Sequence, residues 1–137
     1  MTPEELLLDR TDPVLLVCSI HEDQRPLKGV AGSLDWRLKG FLSRFVINGR
    51  ITGTRNEFVY VPITRHGQVR HLMLVGLGPK SQDGGSAAGG SAILKELARR
   101  VSDLKFKKVA VCLSSFPFLD GPDIRHALKD VEVELIQ

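Results

Sequence analysis

Hydrophobic positions along this 137-residue chain fall into short unbroken runs and longer stripes with spacings of three and four. The densest run is Leu72–Leu77, inside Arg70–Lys80 (RHLMLVGLGPK), where five of six residues are apolar and Gly76, Gly78 and Pro79 close the segment. A short apolar run stopped by Gly and Pro predicts a strand buried on both faces, the innermost of a sheet covered by helices. Val14–Ile20 (VLLVCSI), Phe58–Ile63 (FVYVPI) and the VAVCL of Lys107–Ser114 predict three more strands. Val131–Ile136 instead alternates, with Val131, Val133 and Leu135 on one face and Glu132 and Glu134 on the other, which predicts a half-exposed edge strand. Pro62 lacks an N–H donor and places its strand at an edge or a strand end. The turn at His66-Gly67 predicts an antiparallel hairpin between Phe58–Ile63 and the Arg70 segment.

The stripes predict helices. Leu34, Leu38, Phe41, Leu42, Phe45 and Val46 form one apolar face on a single helix. Ser33 caps that helix, Asp35 sits in its first turn, and Asn48-Gly49 stops it. Gly40 inside it costs about 1 kcal/mol relative to alanine. Ile93, Leu94, Leu97, Val101 and Leu104 mark a second helix over Ala92–Leu104, capped by Ser91. Pro122 opens a third, ending at Lys129, that buries Ile124 and Leu128. Met1–Asp12 reads as a short helix or as an arm whose leucines dock on the body. The order β-α-β-β-α-β-α-β predicts one α/β domain over residues 1–137, a three-layer sandwich with a mixed sheet and helices on both faces.

Composition changes this picture little. A hydrophobic content of 42% and a charged content of 26% are ordinary for a soluble domain. The net charge of +3 is compatible with an anionic partner without implying one. Cys18 and Cys112 lie inside apolar runs and read as buried, reduced thiols. Neither a signal peptide nor a span approaching ~20 apolar residues is visible, so a cytoplasmic chain without membrane contact is expected.

The pieces together resemble the N-terminal domain of the leucyl aminopeptidase family. The resemblance is carried by the strand Val14–Ile20, by Leu34-Asp35 opening a helix through Phe41-Leu42-Ser43-Arg44, and by Gly49-Arg50-Ile51-Thr52-Gly53. Arg70–Gly78 (RHLMLVGLG), the ILKELARRV helix and the strand KKVAVCL complete it. It implies a macro-domain-like fold. It also implies a domain separate from the catalytic one, whose NTDAEGR-type motif and metal-binding lysine and acidic residues are absent here. No catalytic residue, metal ligand or cofactor is therefore assigned. The expected role is assembly or interaction, with a homo-oligomer or an aminopeptidase catalytic domain as partner. The alternatives are a macro-like nucleotide or ADP-ribose binder and an auxiliary nucleic-acid module.

Candidate chemistry is sparse. His21, His66, His71 and His126 are scattered, and Arg25 stands where HExxH needs its second histidine. Cys112, Ser114 and Ser115 end a strand, but no base is recognisable beside them. Gly76 and Gly78, with Gly84, Gly85 and Ser86 in the glycine-rich insert, form the candidate ligand loop, since backbone N–H groups near a helix start can cradle phosphate. Ser114–Phe118 lies where macro domains carry a diphosphate loop but lacks that loop's glycines. Arg65, Arg70 and His71 at the hairpin are the candidate basic contact for nucleic acid.

Overall fold

The computed structural model describes residues 2–80 and 87–137, with 87–89 described by backbone alone. The chain forms α1 (Pro3–Asp9), β1 (Leu15–Ile20), α2 (Gly29–Arg37), α3 (Phe41–Ile47), β2 (Phe58–Arg65), β3 (Gln68–Gly76), α4 (Ala87–Leu104), β4 (Lys108–Cys112), α5 (Gly121–Ala127) and β5 (Glu132–Ile136). The strands make one sheet in the order β2-β3-β1-β4-β5. β3, β1, β4 and β5 run parallel, and β2 pairs antiparallel with β3 through the His66-Gly67 hairpin.

Strand alternation sorts the core into two layers, because successive side chains point to opposite faces. Leu16, Cys18, Leu72, Leu74, Ala110 and Cys112 pack beneath α1, α2 and α3. Leu15, Val17, Met73, Val75, Val109 and Val111 pack beneath α4 and α5. The expected three-layer mixed α/β sandwich is what forms, with Pro62 on one edge strand and β5 as the other. Cys18 and Cys112 are buried free thiols.

Three expectations change. The innermost strand is β1, not the Arg70 segment, which lies second from the edge as β3. Leu72–Leu77 is nonetheless fully buried, because an interior strand of a covered sheet loses both faces to helices wherever it stands. The single helix expected from Ser33 is two. Lys39 and Gly40 take positive φ (56° and 81°), which breaks the hydrogen-bond ladder and re-aims the chain. The second piece is capped from a distance: Ser43 N–H donates to Asp35 Oδ1 at 2.9 Å and Ser43 Oγ bonds Asp35 Oδ2. The apolar stripe gave no warning, since α2 and α3 press the same face on one core. Finally, α4 starts at Ala87 rather than Ala92, so Ser91 is an exposed interior residue and not a cap.

Residues 1–12 do dock. Leu6, Leu7 and Leu8 of α1 are buried. Beyond α1, Arg10 donates to Glu134 at 2.7 and 2.8 Å and to Asp12, and Lys108 joins both carboxylates at 3.2 and 3.4 Å. This network fastens the N-terminal segment to β5.

Candidate functional site

In a mostly parallel sheet the C-terminal strand ends point one way, and a crevice opens where successive connections leave in opposite directions. Here the chain leaves β1 toward the β2–β3 side and then crosses from β3 to β4 on the other side of β1. A cleft of about 210 Å³ lies there, lined by Ser19 at the end of β1 and His21 just after it, Lys28 at the start of α2, Lys80 after β3, and Ser114 and Ser115 after β4.

Each wall is held by backbone geometry. Gly76 leaves β3 against the 53–57 loop, and a Cβ on it would fall 2.0 Å from the Thr54 carbonyl oxygen. Gly53 (φ +83°) sits against the backbone of His21 and Glu22 in the same way, with 2.8 Å to a Cβ. The N–H groups of Gly76, Leu77 and Gly78 donate to Glu57, Ile20 and Gly53 carbonyls at 2.7, 3.0 and 2.9 Å. Gly53 and Gly76 therefore serve close backbone packing, Gly78 supplies a positive φ of +77°, and the N–H donors of Gly76 and Gly78 are engaged within the protein. Gly84, Gly85 and Ser86 lie outside the described residues.

The polar groups of the cleft are pre-oriented. Ser19 Oγ donates to the Ser115 carbonyl at 2.7 Å, joining the ends of β1 and β4. His21 Nδ1 donates to the Gly78 carbonyl at 3.1 Å, which leaves Nε2 as the remaining ring position. Arg25 donates to the carbonyls of His21, Gln24 and Thr52 and ties down the 21–28 loop. The Lys80 N–H donates to Asp23 Oδ1 at 2.7 Å. No side chain caps α2, so its first N–H groups stand at the mouth, where Gly29 and Val30 line the cleft. Among the described residues no Asp or Glu lines it. Two lysines, an uncapped helix start and several hydroxyls give the cleft groups of the kind that accept an anion, with the Asp23 carboxylate beside Lys80.

The cleft has no recognisable nucleophile–base pair among the described residues. Ser19 and His21 spend their donors on carbonyls rather than on each other. Burial pushes the Cys112 thiol up to about 12, with the Glu4 charge adding to it, so its thiolate is scarce at neutral pH. Among the described residues no group of three or more His, Cys, Asp or Glu side chains is placed to hold a metal.

The hairpin residues Arg65, Arg70 and His71 are not brought together. Arg70 and His71 are neighbours on one strand and so take opposite faces. Arg70 is buried opposite Ile63, on the parity of Leu72, and its Nε has no hydrogen-bond partner among the described residues. His71 faces the other layer, where its Nδ1 shares a hydrogen bond with the Tyr60 hydroxyl at 2.6 Å and its ring meets Phe106 edge-on at 4.8 Å. Burial lowers the His71 pKa, which favours the neutral ring. Arg65 alone stays at the surface, beside Lys39 and Phe41.

Lys28, Lys80 and Ser19 were not singled out by sequence. They are far apart along the chain, and no local motif marks them. Ser19 and Lys80 lie at or a few residues past the end of a parallel strand, and Lys28 at the start of the helix that follows β1.

Residues 14–132 match the model of the cytosol aminopeptidase family, N-terminal domain. The macrodomain of Mycobacterium tuberculosis DarG is similar in structure, with a TM-score of 0.67 at 20% identity over 95% of this chain and 91% of that one. The Thermus aquaticus DarG macrodomain aligns with a TM-score of 0.63 at 17% identity over 90% of this chain and 88% of that one. A tomato leucine aminopeptidase (the K354E mutant) aligns with a TM-score of 0.59 at 17% identity over 93% of this chain but only 30% of its own length. At these identities the solved structures establish the fold alone.

Proposed function

The chain belongs to the cytosol aminopeptidase family through its N-terminal domain, and on that premise we propose that it is a non-catalytic binding module whose cleft holds a small phosphorylated ligand of the nucleotide or ADP-ribose class. The observation that carries this reading is the cleft's electrostatics. Lys28 and Lys80 flank an uncapped helix start, and no Asp or Glu is among the described residues that line the cleft, the Asp23 carboxylate lying beside Lys80 at its edge. The match over residues 14–132 is to the family's N-terminal domain. Each charge-assisted contact is worth about 1.5–3 kcal/mol, so losing one lysine weakens a bound diphosphate roughly tenfold or more. Calorimetry with ADP-ribose and with inorganic diphosphate tests this. Saturable heat that falls in Lys28→Ala and Lys80→Ala is expected; no heat at millimolar ligand ends the proposal.

A second reading, assembly with another copy or with an aminopeptidase catalytic domain, is favoured by Trp36 and Ile47. They stay 81% and 80% exposed on consecutive helices, and large apolar side chains left this bare are commonly covered by a partner. Sedimentation velocity of Trp36→Ser/Ile47→Ser against the natural chain tests it. A shift to smaller species is expected, and an unchanged profile, alone and with the catalytic domain, refutes it.

A further inference from the structure

The α2–α3 turn carries a surface that is separate from the cleft. From Trp36 to Asn56 the sequence contains five cations, Arg37, Lys39, Arg44, Arg50 and Arg55, and no Asp or Glu. The fold gathers three of them and adds Arg65 from the end of β2. Lys39 and Arg65 rim a depression of about 280 Å³ whose floor is Leu38, Phe41 and Ile63. The Arg44 guanidinium lies 5.9 Å from the Phe41 ring centroid and that of Arg50 lies 6.0 Å from Phe45, while the two rings meet edge-to-face at 5.1 Å. Joined end to end, these neighbours make a continuous track, Arg65–Lys39–Phe41–Arg44 and Phe41–Phe45–Arg50. Lys39, Arg44, Arg50 and Arg65 make no ion pair among the described residues.

We propose that this track is the docking site for an acidic peptide segment of a partner protein, with one apolar anchor seated between Lys39 and Arg65. The inference rests on the interaction reading above and gives it a surface and a partner class. The argument is charge and shape complementarity. Guanidinium groups pair bidentately with carboxylates. An apolar floor inside a cationic rim suits a hydrophobic side chain flanked by Asp and Glu. A nucleic-acid backbone would use the cations but leave the floor of Leu38, Phe41 and Ile63 empty. Arg44 and Arg50 already lie over one face of Phe41 and of Phe45, so those faces offer bases no open stacking platform.

The test uses the full chain and fluorescence anisotropy at low salt. The probe is a labelled 14-residue Asp/Glu-rich peptide with a single central leucine. Its controls are the same peptide with alanine in place of leucine and a 14-bp duplex DNA. Expected are saturable binding of the leucine peptide, at least a tenfold loss in Lys39→Glu/Arg65→Glu, and a severalfold loss with the alanine peptide. Lys95→Glu on α4 reverses one exposed charge elsewhere and is expected to bind as the natural chain does. Absence of peptide binding, equal binding of both peptides, or tighter binding of the duplex overturns the proposal. Sedimentation velocity on the same samples separates this from the broader reading. Assembly lost in Trp36→Ser/Ile47→Ser while the peptide stays unbound leaves that reading standing and removes only the acidic-peptide site.

Discussion

Gly76 is the residue on which the cleft's architecture most sharply depends. Alanine there places a methyl carbon 2.0 Å from the Thr54 oxygen and 2.8 Å from the Gly53 carbonyl carbon. Both are backbone atoms, so no side chain can swing aside, and the 53–57 loop must lift away from β3. Three hydrogen bonds resist that: Gly76 N–H to Glu57, Asn56 N–H to Gly76 and Gly78 N–H to Gly53, at 2.7, 3.1 and 2.9 Å. At about 1 kcal/mol net each, their loss comes to about 3 kcal/mol. Gly67 is the control. Its φ of +76° strains a side chain, but a Cβ there meets nothing within 4 Å, so only the left-handed penalty of about 1–2 kcal/mol applies. Urea unfolding followed by circular dichroism measures both, with the difference read from the midpoints while the slope holds constant. Gly76→Ala is expected to lose clearly more stability than Gly67→Ala. A loss under about 1 kcal/mol, or one no larger than the control's, refutes the claim that the loop packs on a bare Cα. The same variant also bears on the cleft, because Gly53 in that loop supports the backbone of His21.

Arg70→Met replaces a buried guanidinium whose Nε has no partner among the described residues with an apolar chain of similar reach. It is expected to leave stability unchanged or raise it by about 1 kcal/mol in the same urea assay, and a loss above about 2 kcal/mol would show that the guanidinium is needed. The Arg10 network gives a pH prediction. Hydrogen bonding to Arg10 holds the Glu134 pKa below its ordinary value, with Lys108 assisting. A depressed folded pKa adds stability that is present above the unfolded value of about 4.3 and is lost as pH falls through the folded one. Glu134→Gln is therefore expected to flatten the decline in urea midpoint between about pH 5 and pH 3, and an equally steep decline would remove Glu134 from the acid limb.

Most of the elements are legible in the sequence, because burial is encoded residue by residue. A strand covered on both faces has to be apolar at nearly every position, and Leu72–Leu77 and Val14–Ile20 are, with Gly76 and Ser19 as the exceptions near the strand ends. A helix on one face needs a stripe, and Ile93, Leu94, Leu97 and Val101 supply it. The break at Lys39-Gly40 was hidden for a related reason. Both helix pieces keep their stripe on one core, and the cap from Asp35 to Ser43 bridges eight positions, beyond the reach of a local capping rule. Likewise Arg65, Arg70 and His71 are near neighbours in sequence, but strand alternation sends Arg70 and His71 to opposite layers.

Local hydrophobic order thus determined by itself that this is a layered α/β domain with two buried thiols, an antiparallel hairpin and an alternating edge strand. Tertiary structure alone decided that β1 stands in the middle, that Gly53 and Gly76 pack against backbone, and that Ser19, Lys28 and Lys80 share one cleft while Lys39, Arg44, Arg50 and Arg65 share one surface. The physical reason is that burial is a property of each position, whereas strand order and the meeting of strand ends arise from chain crossings that join residues dozens of positions apart.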